Sequence, residues 1–150
     1  MKRLTPHPSR LTPSKKGRLI LVIGGASSGK SAVALNLADG TGPRAFVATG
    51  EPLDEEMAER IRAHQVSRQG RWETCEVPVD LTKWFATEGR RYRTVVVDCL
   101  TLWLSNLQRQ GIHAERTPAV VRDLLQSARR VSGRVVIVTN ELGFGIVPAD

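Results

Sequence analysis

The chain has 150 residues, of which 41% are apolar, with 22 Lys plus Arg against 15 Asp plus Glu, a balance that suits one folded domain. Of the net charge of +7, six units come from Lys2, Arg3, Arg10, Lys15, Lys16 and Arg18, leaving +1 for residues 19–150, so no nucleic-acid partner is expected for the folded body. Two cysteines, Cys75 and Cys99, exclude a disulfide framework and suit buried thiols, and with neither a secretory signal nor a run long enough to span a membrane, a cytoplasmic location is expected.

Residues 1–17 contain Pro6, Pro8 and Pro13 and few large apolar groups. They bury too little surface to offset ordering entropy, and a disordered basic leader is expected ahead of one domain over 18–150. From Arg18 the run Arg-Leu-Ile-Leu-Val-Ile-Gly reads as a strand buried on both faces. After a Gly-rich turn, Val33, Ala34, Leu37 and Ala38 recur at helical spacing over 31–38, and 45–48 reads as a second short strand. Asp54 is placed to cap a helix with Glu55 and Glu56 in its first turn, reaching to about Gln65. Residues 74–77 are expected to extend, 81–85 to be helical, 93–98 to form a buried strand ending in a carboxylate, and 100–107 to be helical. Thr117 as cap, Pro118 at the first helical position and Gly133 as terminator frame the clearest helix, followed by a last apolar strand over 134–139. Strands alternating with helices in this way predict an α/β fold with a mainly parallel sheet.

Gly24, Gly25, Ala26, Ser27, Ser28, Gly29, Lys30 and Ser31 fit G-x-x-x-x-G-K-[ST] between a predicted strand and a predicted helix, the setting of a P-loop. Glycines let backbone N–H groups wrap a phosphate, the helix start adds positive potential, and Lys30 neutralises β- and γ-oxygens. Ser31 would give its hydroxyl to Mg2+. Asp98, at the carboxyl end of a strand, stands where P-loop proteins place a metal-orienting acid, or else caps the helix that follows. His64, near Arg60, Arg62 and Arg68, is by spacing either a structural histidine at a helix end or a group at a phosphate site. Thr139, Asn140 and Glu141 end the last strand on the ligand side, or cap the next segment. Trp72, Trp84 and Trp103 read as packing residues.

Taken in order, these residues resemble a known family, the bifunctional adenosylcobinamide kinase/adenosylcobinamide-phosphate guanylyltransferases of cobalamin biosynthesis. The likeness runs through the P-loop, Val47-Ala-Thr-Gly50, Asp54-Glu-Glu-Met-Ala-Glu-Arg-Ile61 with His64 and Arg68, Trp72-Glu-Thr, Glu76-Val-Pro78, Val97-Asp-Cys-Leu-Thr-Leu-Trp103, Asn106-Leu107 and Thr139-Asn-Glu-Leu-Gly-Phe-Gly-Ile-Val-Pro148. The resemblance implies a P-loop NTPase-like fold and two reactions: phosphorylation of the aminopropanol hydroxyl of adenosylcobinamide by ATP or GTP, then transfer of GMP from GTP onto that phosphate through a histidine. The histidine role falls on His64, with Lys30 as the other catalytic residue. Beside the P-loop, the resemblance assigns to the nucleotide site Ala48, Thr49, Gly50, Gln65, Val66, Ser67, Arg68, Glu76 and Asp98, and it implies a homotrimer. The family pattern continues for about one helix and one strand past Asp150, which implies an open sheet edge here. Two other readings stand beside it: a P-loop kinase with another small-molecule acceptor, and a truncated nucleotide-binding protein without catalysis.

Overall fold

A computed structural model describes residues 17–25 and 27–141. The leader expected over 1–17, Gly17 excepted, the loop residue Ala26 and the segment from Leu142 onward lie outside the described residues. The elements follow as β1 (Arg18–Gly24), α1 (Lys30–Leu37), β2 (Arg44–Ala48), α2 (Glu55–Arg68), β3 (Glu73–Glu76), α3 (Leu81–Thr87), β4 (Thr94–Asp98), α4 (Leu100–Arg109), α5 (Thr117–Ala128) and β5 (Arg134–Asn140). Short 3-10 turns precede β4 and α5. The five strands form one sheet in the order β1-β5-β4-β2-β3, every pair parallel.

The period-2 alternation of side chains divides the apolar strands between two cores. Ala45, Val47, Val95, Val97, Val135 and Ile137 point to one face, where α3, α4 and α5 cover them with Leu81, Phe85, Trp103, Leu107, Leu124 and Ala128. Phe46, Val96, Val136 and Val138 point to the other, covered by Ala34 of α1 and by its cap residue Ala38. Trp103 is fully buried and its indole Nε1–H donates to Val79 O at 2.7 Å, while Trp84 stacks on Tyr92. Such packing bears out the reading of these tryptophans. Cys99 is buried, whereas Cys75 is only half-buried.

Most element ends lie within one or two residues of the sequence reading, and three differences have a physical reason. Helix α2 runs on to Arg68, because its last turn has Arg68 to lay over the Phe46 ring, 3.5 Å from its centroid. Thr117 is the first helical residue of α5 rather than its cap, since the 3-10 turn Ala114–Arg116 feeds straight into the helix and leaves no extended cap residue. Helix α5 ends at Ala128, and Gly133 has a different task. A Cβ there would lie 1.7 Å from Arg93 O, so only glycine lets β4 and β5 start side by side.

Candidate active site

At the carboxyl end of β1 the chain turns into α1 through residues 25–29. Gly29 adopts φ 80° and Ser27 φ 56°, left-handed conformations that turn the backbone sharply before the helix starts. Lys30 Nζ donates to Gly25 O, folding its charge back over the loop. Ser31 Oγ donates to Asp98 Oδ2 at 2.5 Å, which joins the first turn of α1 to the end of β4. The cap of α4 is Cys99, whose Sγ accepts from Leu102 N, so Asp98 is free of that duty and faces the P-loop. A hydroxyl and a carboxylate are hard oxygen donors, the set that Mg2+ takes together with water and substrate phosphates. At the end of β5, Asn140 N donates to Thr101 Oγ1 at 2.9 Å and Glu141 N to Gly24 O at 2.9 Å, pinning this strand end between α4 and β1.

Helix α2 supplies the opposite wall. Asp54 caps it as the sequence predicts, its carboxylate accepting from Met57 N at 2.7 Å. Met57, Ile61, His64 and Arg68 follow at helical spacing and share one face, and that face bounds a cavity of about 240 Å3 together with Ser31, Asp98, Phe46 and Leu102. His64 is exposed and stands one turn before the helix end. Arg68 is only 6% exposed, and among the described residues its Nε has no hydrogen-bond partner. Burial pushes this guanidinium below its usual pKa, and the Asp98 carboxylate acts in the opposite sense. A buried cation with an idle donor beside a serine, a carboxylate and an accessible imidazole is an arrangement that accepts phosphate oxygens.

The structure thus gathers Ser31, Ala48, Gly50, His64, Arg68 and Asp98 around one cavity, with Lys30 at the adjoining start of α1. Other residues assigned by resemblance lie elsewhere. Gln65 Nε2 donates to Glu76 Oε1 at 2.9 Å, and this pair lines a separate cleft with Trp72 and Thr74. Val66 is exposed, and Ser67 Oγ donates back to His64 O. Consecutive helical residues point about 100° apart, so four in a row do not all reach one chamber.

Thr49 is fully buried, its Oγ1 donating to Cys99 O and accepting from Cys99 N. Asn106 on α4 donates to Thr49 O and Pro78 O at 2.7 and 2.8 Å, and Arg109 bridges from Asn106 Oδ1 to Glu51 at 3.3 Å. Thr49 therefore holds the end of β2 against β4 and α4. Sequence reading missed Phe46 and Leu102 as cavity walls; the spacing of Met57, Ile61 and Arg68 about His64 was the signal for the α2 face.

A sequence model of the family described as "Cobinamide kinase / cobinamide phosphate guanyltransferase" matches residues 20–150. The bifunctional adenosylcobalamin biosynthesis protein CobP of Pseudomonas aeruginosa is 39% identical over 133 residues, covering 85% of this chain and 74% of that protein. The bifunctional adenosylcobalamin biosynthesis protein CobU of Escherichia coli is 33% identical over 147 residues, covering 87% of this chain and 78% of that protein. Among solved structures, the RadB recombinase matches with a TM-score of 0.50 at 17% identity over 84% of this chain and 62% of that one, a likeness of fold alone. Among the described residues no helix is long and apolar enough to cross a membrane.

Proposed function

Because the chain belongs to the cobinamide kinase / cobinamide phosphate guanyltransferase family, we propose that it phosphorylates adenosylcobinamide and then transfers GMP from GTP to the new phosphate through a guanylylated His64. The observation that carries this reading is that Ser31, Asp98 and His64 line one cavity.

In the first reaction the loop over 24–31 cradles the triphosphate with backbone N–H groups, and Lys30 supplies charge to the β- and γ-oxygens. The aminopropanol hydroxyl oxygen attacks the γ-phosphorus of ATP or GTP, the bond from that phosphorus to the β–γ bridging oxygen breaks, and the hydroxyl proton is released as the nucleoside diphosphate departs. Ser31 Oγ and Asp98 Oδ2 would hold Mg2+, which when bound spreads the negative charge of the phosphate oxygens. In the second reaction a neutral His64 nitrogen bonds to the α-phosphorus of GTP and pyrophosphate leaves, giving a phosphoramidate. A phosphate oxygen of adenosylcobinamide phosphate then bonds to that phosphorus, the P–N bond breaks, and adenosyl-GDP-cobinamide is released. Arg68 lines the same chamber, a cation for the phosphate being transferred. On the same family resemblance the assembly is a homotrimer, which sedimentation equilibrium checks.

Incubation with α-labelled GTP and Mg2+ tests the reading. The expected result is covalent label that acid releases, lost in His64→Ala while nucleotide binding is retained. Transfer of γ-label to adenosylcobinamide with no GMP adduct would leave a kinase only, and binding without either transfer would leave a non-catalytic nucleotide binder.

A further inference from the structure

A second, larger groove of about 510 Å3 adjoins the chamber holding His64, shares Gly50, Met57 and Leu102 with it, and runs along the β2–α2 loop and α4. Its walls are of another kind. Leu53 is 67% exposed and Leu102 37% exposed, and with Met57 they form an apolar floor left open to solvent. Farther along α4 from Leu102 the lining continues with Ser105 and Gln108, two neutral hydrogen-bonding side chains, and Arg109, already engaged with Asn106 and Glu51. Glu51 pairs with Arg109 at 3.3 Å, so these two charges of the lining offset each other and offer a polyphosphate little attraction. Gly50 belongs to both linings, and a Cβ there would stand at ordinary contact distance, 3.7 Å from Leu102 Cδ1 and 3.9 Å from Ile61 Cδ1.

Accepting the reading above, we infer that this groove is the acceptor subsite, seating the edge of the corrin body while the aminopropanol arm passes Gly50 to the phosphates. A corrin carries methyl groups and neutral carboxamides around its rim and is far too large for the inner chamber, so only its arm reaches the reacting atoms. Methyl groups meet Leu53, Met57 and Leu102, and carboxamides meet Ser105, Gln108 and Arg109. The phosphates stay with the cationic chamber.

Two variants test the assignment, Ser105→Trp, which fills the groove, and Gln108→Ala, which removes an amide without adding bulk. Binding of adenosylcobinamide is followed by equilibrium dialysis read from corrin absorbance, a readout that needs no turnover, and GTP is followed by self-labelling. Ser105→Trp is expected to weaken corrinoid binding about tenfold or more and Gln108→Ala about threefold, with the KM for GTP in labelling held within about twofold. Unchanged corrinoid affinity in a Ser105→Trp variant of normal circular dichroism overturns the subsite, as does a parallel rise in the KM for GTP, which would give the groove to the base. Should Ser105→Trp not fold, unchanged corrinoid affinity in Gln108→Ala overturns it. If wild-type protein binds the corrinoid but takes no label from GTP, the guanylylation reading fails and the subsite stands.

Discussion

Helices α2 and α4 wall the same cleft and are held in opposite ways. Over ten residues α4 buries Trp103, Asn106 and Leu107, so apolar surface and two buried amide hydrogen bonds fix it to the sheet. Over fourteen residues α2 buries only Arg68. Its cap Asp54 and its exposed ion pairs, Glu56 to Arg60 at 3.1 Å and Glu55 to Arg62 at 3.2 Å, act within the helix, and an exposed hydrogen bond from Gln65 to Glu76 at 2.9 Å reaches β3, contacts that each contribute little in water. The candidate nucleophile thus stands on the weakly anchored wall, and the groove assigned to the acceptor is backed by the firm one. Weak anchoring suits a helix whose partner is a ligand, because regions that must admit and release one are drawn from the low-stability part of a fold.

The largest effect that could break this contrast is in the core. Trp103→Ala is expected to cost about 3–5 kcal/mol in urea unfolding, and Ile61→Ala on α2 only about 1 kcal/mol; equal losses would mean that both walls are packed alike. Next comes the one buried group of α2. Arg68→Met removes a desolvated cation with an unpaired Nε, so the thermal midpoint is expected to hold or rise. Affinity for GTP in calorimetry is expected to fall about tenfold or more, the scale of a lost charge-assisted hydrogen bond. A destabilisation on the scale of Trp103→Ala would make Arg68 an anchor instead of a ligand contact.

The sequence exposes the firmly held regions more readily than the others. Short β-branched runs such as Val95–Val97 and Val135–Val138 declare buried strands, because no other placement buries every side chain of a continuous apolar run. The P-loop and Asp98 are equally legible, since fixed spacing and a strand end constrain them. Strand order is a matter of pairing between distant segments, and nothing local encodes β5 lying between β1 and β4. The lock of Asn106 on Thr49 joins residues 57 apart, and the walls Leu53 and Leu102 look like ordinary apolar residues until two segments meet. His64 shows as one of three histidines by spacing, and its assignment needs the family pattern in the Arg60-to-Arg68 segment.

A smaller effect separates the two helix starts. Asp54→Ala deletes the cap of α2 and is expected to cost about 1 kcal/mol, seen as faster amide exchange confined to the first turn and a slower rate of self-labelling. Uniformly faster exchange across α2 and α4 would instead mean that the two helices open as one unit.

The smallest effect lies at the α4 cap and depends on pH. Burial raises the Cys99 thiol above its ordinary value of 9.0, and the neighbouring Asp98 carboxylate pushes the same way, partly offset by the backbone N–H groups of the first turn of α4 and by Lys30. In the unfolded chain the thiol loses its proton first as pH rises. The stability owed to the neutral thiol is therefore complete below about pH 9 and is lost as pH climbs toward the raised folded value. Cys75 and Tyr92 are also raised by burial and add to the same alkaline loss. Urea midpoints measured from pH 7.5 to 10 are expected to fall above about pH 9, and less steeply in Cys99→Ala, which has one fewer group to titrate. An identical slope in the variant would remove Cys99 from the alkaline transition and leave the fall to Cys75 and Tyr92, on the side of the sheet edge away from the P-loop.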